Sequence, residues 1–449
     1  MGFDRYLGHI FGVIMMTMLA CGCARLQPYH TVSDRAPTAG LVPGAESQSD
    51  CYRHQKDGGD ISCVRFVEYD DFGNVFSRAQ LDEAVREAHA LAREGGIIVV
   101  YIHGWQHNAK SGDPDVESFH RAIRNAQKVD IKMGDKRKIL GIYIGWRGKS
   151  LNIPWVNNLT FWERKTTAQS IGDGAVFELL RKLADSREEF PSSRLVLVGH
   201  SFGAAVMYSS VSHSIMDQII DDPYVGSGGT PTRDREKRWD MVVLINPAFE
   251  AMQLRPHLEL ARSRQYMPNQ LPHLILITSE ADRATGAAFP AGRYFRSLFN
   301  KYYDAESGAM YRTAVGHYLP FVTHQLTVRH ACSRFIAGLP VQPAADKLGT
   351  AVQATYFCFE DQNAMLSEQE EGQLAQPVML TRCDGIGDCS RVADGHKMPA
   401  PPHMPILNIR ASAEVMNGHN DIWNPTMQGF LVQLLVFIVE PPAAKVPPG

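Results

Sequence analysis

The chain has 449 residues, of which 44% are apolar and 21% charged, and its formal net charge is −3. Such a length allows two or three domains, although α/β folds often run this long as one. The balanced charge excludes the basic footprint that nucleic acid requires and gives no argument for an anionic partner.

At the start, Arg5 precedes an apolar run over 6–20, followed by Cys21, Gly22 and Cys23. A short basic start, an apolar stretch of signal length and small residues before a cysteine mark a secretory signal over 1–23. The run is shorter than the ~20 residues a membrane span needs. The cysteine at the cleavage point resembles a bacterial lipoprotein lipobox. That resemblance implies acylation of one of the two cysteines, and parity of the remaining cysteines favours Cys23, with Cys21 as the alternative. Cys23 as mature N-terminus leaves six others, Cys51, Cys63, Cys332, Cys358, Cys383 and Cys389. An even set suits an oxidising compartment, and fifteen pairings are open to it, with the sequence-near 51/63 and 383/389 plausible and 332/358 left over. A lipid anchor would hold the protein at the bacterial cell envelope, facing the periplasm or exterior, without spanning the membrane.

Residues 24–60 are polar and rich in Pro, Gly, Ser and Asp, and read as a flexible tether to a domain over 61–449. The first strand is expected at 64–69. Ser77 with Gln80 three residues later is a capping box opening a helix to about Ala92, and Gly95-Gly96 ends it. Residues 97–102 form a continuous β-branched run, the mark of a strand buried on both faces. A charged helix follows near 116–129, a second buried strand at 139–144 and a helix over 161–183. Further strands are expected at 195–198, 241–245 and 274–277, with a helix from the elbow at 199–203 to about Ile219. The last strand is 406–409 and the closing helix 430–439. Short apolar strands alternating with helices predict an α/β fold with a mainly parallel sheet and helices on both faces. The interval 283–403 breaks the rhythm and reads as an insertion before the last strand, a lid or small disulfide-braced subdomain at the ligand edge.

The chemistry centres on Gly199-His200-Ser201-Phe202-Gly203, a G-x-S-x-G directly after an apolar strand and before a helix. That context defines a nucleophile elbow with Ser201 exposed at the turn. A serine hydroxyl needs a base, and the base needs an orienting acid. In open parallel sheets such groups gather beyond the carboxyl ends of strands. After 274–277 stand Glu280 and Asp282, and Asp282, deeper in the loop, is the candidate acid. After 406–409 comes His419, where the order Ser…Asp…His places the base. Its competitor is His317, which no comparable strand precedes and which, with His324, suits a supporting or substrate-side place. An acyl-transfer oxyanion needs preorganised N–H donors. The candidates are the backbone N–H groups of Phe202 and of Trp105, the latter in the loop His103-Gly104-Trp105 that follows strand 97–102.

The His-Gly-Trp loop, the elbow, the acid after its strand and the late histidine together resemble the α/β-hydrolase superfamily. Within it the chain resembles bacterial envelope proteins with an HGW-x-HNA loop and a terminal HNDI-type segment. The resemblance covers about 64–280 and 404–440. It implies hydrolysis of a carboxylic ester or related acyl bond through an acyl-serine, without metal or organic cofactor. The alternative function is a non-catalytic envelope binding or assembly module on the same scaffold. A metal hydrolase using His103 and His107 is disfavoured by their loop setting, and Asp384–Asp388 lacks a full calcium-loop pattern. Trp105, Trp146, Trp155, Trp162 and Phe161 suit either an acyl pocket or the core, and aromatics of this kind are more often core.

Overall fold

A computed structural model describes residues 28–31, 46–47, 49–53, 61–70, 72–105, 107–133, 137–146, 172, 174–222, 224, 238–266, 270–296, 300–328, 355–357, 378–383 and 403–439. The chain opens with β1 (His30–Thr31), β2 (Glu46–Ser47), β3 (Ser49–Arg53) and β4 (Ile61–Glu68). Alternation follows: α1 (Arg78–Arg93), β5 (Ile97–Ile102), α2 (Pro114–Met133), β6 (Ile139–Gly145), α3 (Ala175–Glu189), β7 (Arg194–His200), α4 (Phe202–Asp221), β8 (Met241–Ile245), α5 (Ala251–Arg262) and β9 (Leu274–Ser279). Then come α6 (Phe289–Arg296), α7 (Ala305–Arg312), β10 (His324–Val328), β11 (Thr355–Phe357), β12 (Val378–Arg382), β13 (Ile406–Ala411) and α8 (Pro425–Val439).

One sheet of the order β11-β12-β10-β13-β9-β8-β7-β5-β6-β4-β3 organises the described residues. Strands from β10 through β4 in that order run parallel, and β3, β12 and β11 are antiparallel to their neighbours. The α/β fold with a mainly parallel sheet is therefore as the sequence predicts. Strand side chains alternate between two cores. On β5, Ile98, Val100 and Ile102 join the core that holds side chains of α1, α3, α4 and α5. Ile97 and Tyr101 join the opposite core, with Phe119 of α2 and Phe430 of α8. Each such fully buried aliphatic contributes ~1.5–3 kcal/mol, so a charge at Val100 would be among the most disruptive single changes.

Helix α1 starts where the cap predicts: Ser77 Oγ accepts from the Gln80 N–H at 3.4 Å. The reciprocal half of the box is absent, because the Gln80 amide donates instead to the His30 carbonyl at 2.8 Å and its oxygen accepts from the Glu68 N–H. Gly95, at φ 76°, closes the helix as a left-handed C-terminal residue.

The structure departs from the sequence reading at several points. The stretch 24–60 is not wholly a tether: His30 is 1% exposed and docked, and 49–53 form the sheet's edge strand β3. The composition of that stretch is loop-like, yet β4 presents an open edge whose backbone groups take a partner. Within the interval 283–403, the described strands β10, β12 and β11 extend the sheet past β13. β10 escapes an apolar-run criterion because only Leu326 of its five residues is buried. Helix α5, Ala251–Arg262, was not foreseen; Pro256 and two arginines disguise its apolar stripe of Leu254, Leu258 and Ala261. The helix expected over 161–183 is described as Ala175–Glu189, with 161–171 outside the described residues. The signal segment, Cys21, Cys23, Phe161, Trp155, Trp162, Cys332, Cys358, Cys389 and the loop 384–388 also lie outside them. Among the described residues no helix is long and apolar enough to cross a membrane.

Candidate active site

β7 ends at His200 and α4 begins at Phe202, so Ser201 alone makes the turn. Its backbone takes φ 56° and ψ −118°, a conformation that L-residues rarely adopt and that must be held from outside. The Ser201 N–H donates to the Ile245 carbonyl at 2.9 Å, and its own carbonyl accepts from Ala248 N–H at 3.1 Å. The flanking glycines are required by close approach. A Cβ on Gly199 would lie 2.7 Å from Ala204 Cα, and one on Gly203 2.3 Å from the Ile102 carbonyl oxygen.

The candidate base and candidate acid arrive from neighbouring strands. β13 pairs in parallel with β9, with Ala411 opposite Ser279, so the loops that leave their carboxyl ends meet. His419 Nε2 lies 2.7 Å from Ser201 Oγ, and His419 Nδ1 lies 2.8 Å from Asp282 Oδ2. An ionised carboxylate accepts, which assigns the proton to Nδ1 and leaves Nε2 as acceptor for the serine hydroxyl. Asp282 is 2% exposed. Burial alone would raise its pKa, but hydrogen bonds from His419 and Thr285 prevail and bring it down to about 2. Its Oδ1 accepts the N–H groups of Ala284 at 2.8 Å and Thr285 at 3.2 Å. Its Oδ2 accepts the Thr285 hydroxyl as well as His419.

Because Thr285 gives its hydroxyl proton to Asp282, its oxygen accepts from His317 Nε2–H at 3.0 Å. Burial lowers the His317 pKa to about 4, against the opposing pull of the Asp282 charge. His317 is thus a neutral support behind Asp282 and has no hydrogen bond with Ser201. Glu280 is exposed and turns to the Ala413 N–H at 3.1 Å and towards Arg410. His324 opens β10, with Nδ1 2.9 Å from the neighbouring Thr323 hydroxyl.

The loop after β5 lies beside Ser201 and carries the candidate oxyanion donor. His103 is fully buried and stays neutral, its pKa lowered to about 4 chiefly by burial. Its Nε2 accepts the Trp146 N–H at 3.1 Å, so its Nδ1 carries the proton and donates to the Gly104 carbonyl at 2.8 Å. In a trans peptide the C=O and the following N–H point in opposite directions. Fixing the Gly104 oxygen therefore fixes the aim of the Trp105 N–H. Gly104 itself sits against the nucleophile: a Cβ there would be 2.7 Å from His200 Nδ1 and 3.0 Å from Ser201 Cβ. Phe202 opens α4, where the first N–H groups of a helix have no intrahelical acceptor. Trp146 is core, 3% exposed and stacked on His103.

Three residues that position His419 were not singled out from sequence. The His419 carbonyl accepts from His200 Nε2–H at 2.9 Å and from Asn246 Nδ2 at 2.8 Å. Asn246 Oδ1 accepts the Ser279 N–H, so this one amide ties β8, β9 and the histidine loop together. Burial, and then the charge of His419, hold His200 well below the ordinary histidine range. Asp115 takes Trp423 Nε1–H at 2.7 Å and the hydroxyls of Tyr101 and Tyr143 at 3.0 Å each, bracing the turn just past His419. The only sequence signal for Asn246 is its place directly after the apolar run 241–245. His103 and His107 do not converge, since His107 Nδ1 pairs with Asp113 at 2.9 Å. Among the described residues no group of three or more His, Cys, Asp or Glu gathers as a metal site.

No protein-family model matches this chain, and no curated protein matches it.

Proposed function

We propose that this protein is a serine hydrolase of the α/β-hydrolase superfamily, cleaving a carboxylic ester or related acyl bond at the bacterial cell envelope. The observation that carries the reading is the unbroken chain Ser201 Oγ, His419 Nε2, His419 Nδ1, Asp282 Oδ2, with contacts of 2.7 and 2.8 Å. A serine hydroxyl so paired is an activated nucleophile.

His419 Nε2 takes the hydroxyl proton as Ser201 Oγ bonds to the acyl carbon. Asp282 keeps the imidazole oriented and stabilises its cation. The N–H groups of Trp105 and Phe202 receive the oxyanion. The tetrahedral adduct collapses, the leaving alcohol takes the proton from His419, and an acyl-serine remains. Water then gives a proton to His419 and its oxygen to the acyl carbon; the acyl C–Oγ bond breaks, His419 returns the proton to Ser201 Oγ, and the carboxylic acid leaves.

The test is reaction with a fluorophosphonate followed by peptide mass spectrometry, with Ser201→Ala and His419→Ala alongside. Labelling at Ser201 that falls sharply in His419→Ala is expected. Folded protein that does not label would refute the reading and favour a non-catalytic binding module.

A further inference from the structure

The chain that leads into the domain from its N-terminal side is clamped at one defined point. The N–H groups of Tyr29 and His30 donate to Glu68 Oε2 and Oε1 at 2.7 and 2.9 Å. His30 Nδ1 lies 3.2 Å from the same carboxylate, and its ring stacks on Phe66 at 3.8 Å. Glu68 is 3% exposed, so this is a buried carboxylate met by several donors, a strong arrangement.

Glu68 is the last residue of β4 and pairs with Gly145, the last residue of β6. In the next registers Ile144 faces Ile102, and Ile102 faces Gly199. The clamp therefore lies on the carboxyl edge of the sheet, the edge that carries Ser201. Three strand spacings of ~4.8 Å separate the β4 and β7 ends, about 14 Å. The turn following β4 on that edge presents Phe72, which is 76% exposed, and Tyr29 is 39% exposed. Aromatic rings at such a surface suit the headgroup level of a bilayer.

Cys23 stands six residues before Tyr29. Fully extended, that stretch spans at most ~20 Å. An acylated Cys23 thus holds the clamp within about 20 Å of the bilayer, where a free tether of 24–60 would have allowed several times more. We propose that the carboxyl edge faces the membrane and that the substrate is a fatty-acyl ester of a membrane lipid, reached from the bilayer surface. The reaction breaks the acyl C–O bond, with water supplying hydroxyl to the acyl carbon and a proton to the lipid alcohol. This rests on the serine-hydrolase reading and on the lipobox at Cys23.

The experiment uses the full chain, processed in a bacterial host and reconstituted in phosphatidylethanolamine/phosphatidylglycerol vesicles. Fatty acid released from the vesicles, hydrolysis of p-nitrophenyl butyrate and fluorophosphonate labelling are followed in parallel. A 20-residue Gly/Ser spacer between Arg25 and Leu26 leaves the clamp intact and lengthens the leash from 6 to 26 residues. With effective concentration falling as the −3/2 power of length, vesicle hydrolysis drops about ninefold. The other two readouts stay within twofold. Phe72→Ser lowers vesicle hydrolysis alone. Labelling and butyrate turnover without fatty acid from vesicles would overturn the proposal and leave the hydrolase reading standing. So would a spacer variant as fast as wild type on vesicles, or an N-terminal peptide without acyl groups. Absence of labelling overturns the hydrolase reading itself, and this proposal with it.

Discussion

Asp282→Asn separates catalytic from structural roles, because the two carboxylate oxygens have different duties. Oδ1 accepts two backbone N–H groups, from Ala284 and Thr285. Those donors force the substituted amide to keep its oxygen at that position. Its NH2 must then occupy the Oδ2 position and face His419 Nδ1. A donor there drives the imidazole to its other tautomer, with the proton on Nε2 pointing at Ser201. The serine then has no base, although every heavy atom is in place. The loss expected from a wrong tautomer is about 10³–10⁴-fold, or ~4–5.5 kcal/mol of transition-state stabilisation. Stability falls less. A carboxylate moved from 3.8 to about 2 contributes about 2–3 kcal/mol at neutral pH. The assay is the second-order rate of fluorophosphonate labelling, beside urea unfolding followed by circular dichroism. A folded Asp282→Asn protein that labels within tenfold of wild type would refute the assignment of Asp282 as the acid.

Gly104→Ala inserts a Cβ 2.7 Å from His200 Nδ1 and 3.0 Å from Ser201 Cβ. It should displace the loop and cost about 10²–10³-fold in labelling, the value of one oxyanion donor; unchanged labelling kinetics would remove that loop from the site. Asn246→Ala frees the His419 carbonyl from one of its two donors and leaves the Ser279 N–H without its acceptor. A loss of ~2–3 kcal/mol is expected in urea unfolding, together with slower labelling; a shift below 0.5 kcal/mol would count against the tie. His103 has a folded pKa of about 4 against an ordinary 6.5. Between those values the unfolded chain binds more protons, so this stability is complete above pH 6.5 and lost as pH falls towards 4, by ~3 kcal/mol. Unfolding free energies at pH 7.5 and 4.5 check it, and His103→Gln should flatten the difference. The register of β3 and β4 sets Cys51 opposite Cys63. Non-reducing peptide mapping should recover them as one disulfide-linked pair, and two alkylatable thiols would exclude it.

What could be read from the sequence follows from distance along the chain. The central strands announce themselves as apolar runs because both faces of a parallel sheet are covered. Ser201 is legible because glycines on either side of it answer to local backbone crowding. The supports of His419 are not legible, since His200 and Asn246 meet its carbonyl across 219 and 173 residues. Nothing in either local segment distinguishes a side chain that holds a loop from one that faces solvent. The Thr285 hydroxyl is an intermediate case. It lies three residues beyond Asp282, a spacing common to many loops, and its meaning comes only from His317 standing behind it.

The separation of the candidate acid and base along the chain is the feature that most obscured the site, and the sheet explains why it costs little. From Asp282 to His419 are 137 residues. Adjacent parallel strands can be joined by any connection long enough to cross over, and closing a longer one adds only ~0.6 kcal/mol per doubling. β9 and β13 are such neighbours, locked over six paired positions from Ile406–Leu274 to Ala411–Ser279. Whatever the interval does, the two loops leave the same edge one strand spacing apart. The interval's described strands go outward, adding β10 on the far side of β13 and then β12 and β11. β13 thereby becomes an interior strand, its edge covered by β10. The Asn408 N–H is taken by the Thr323 hydroxyl and its carbonyl by the Thr323 N–H. The long interval reads as a disturbance along the sequence. In the fold it buries the strand that delivers His419.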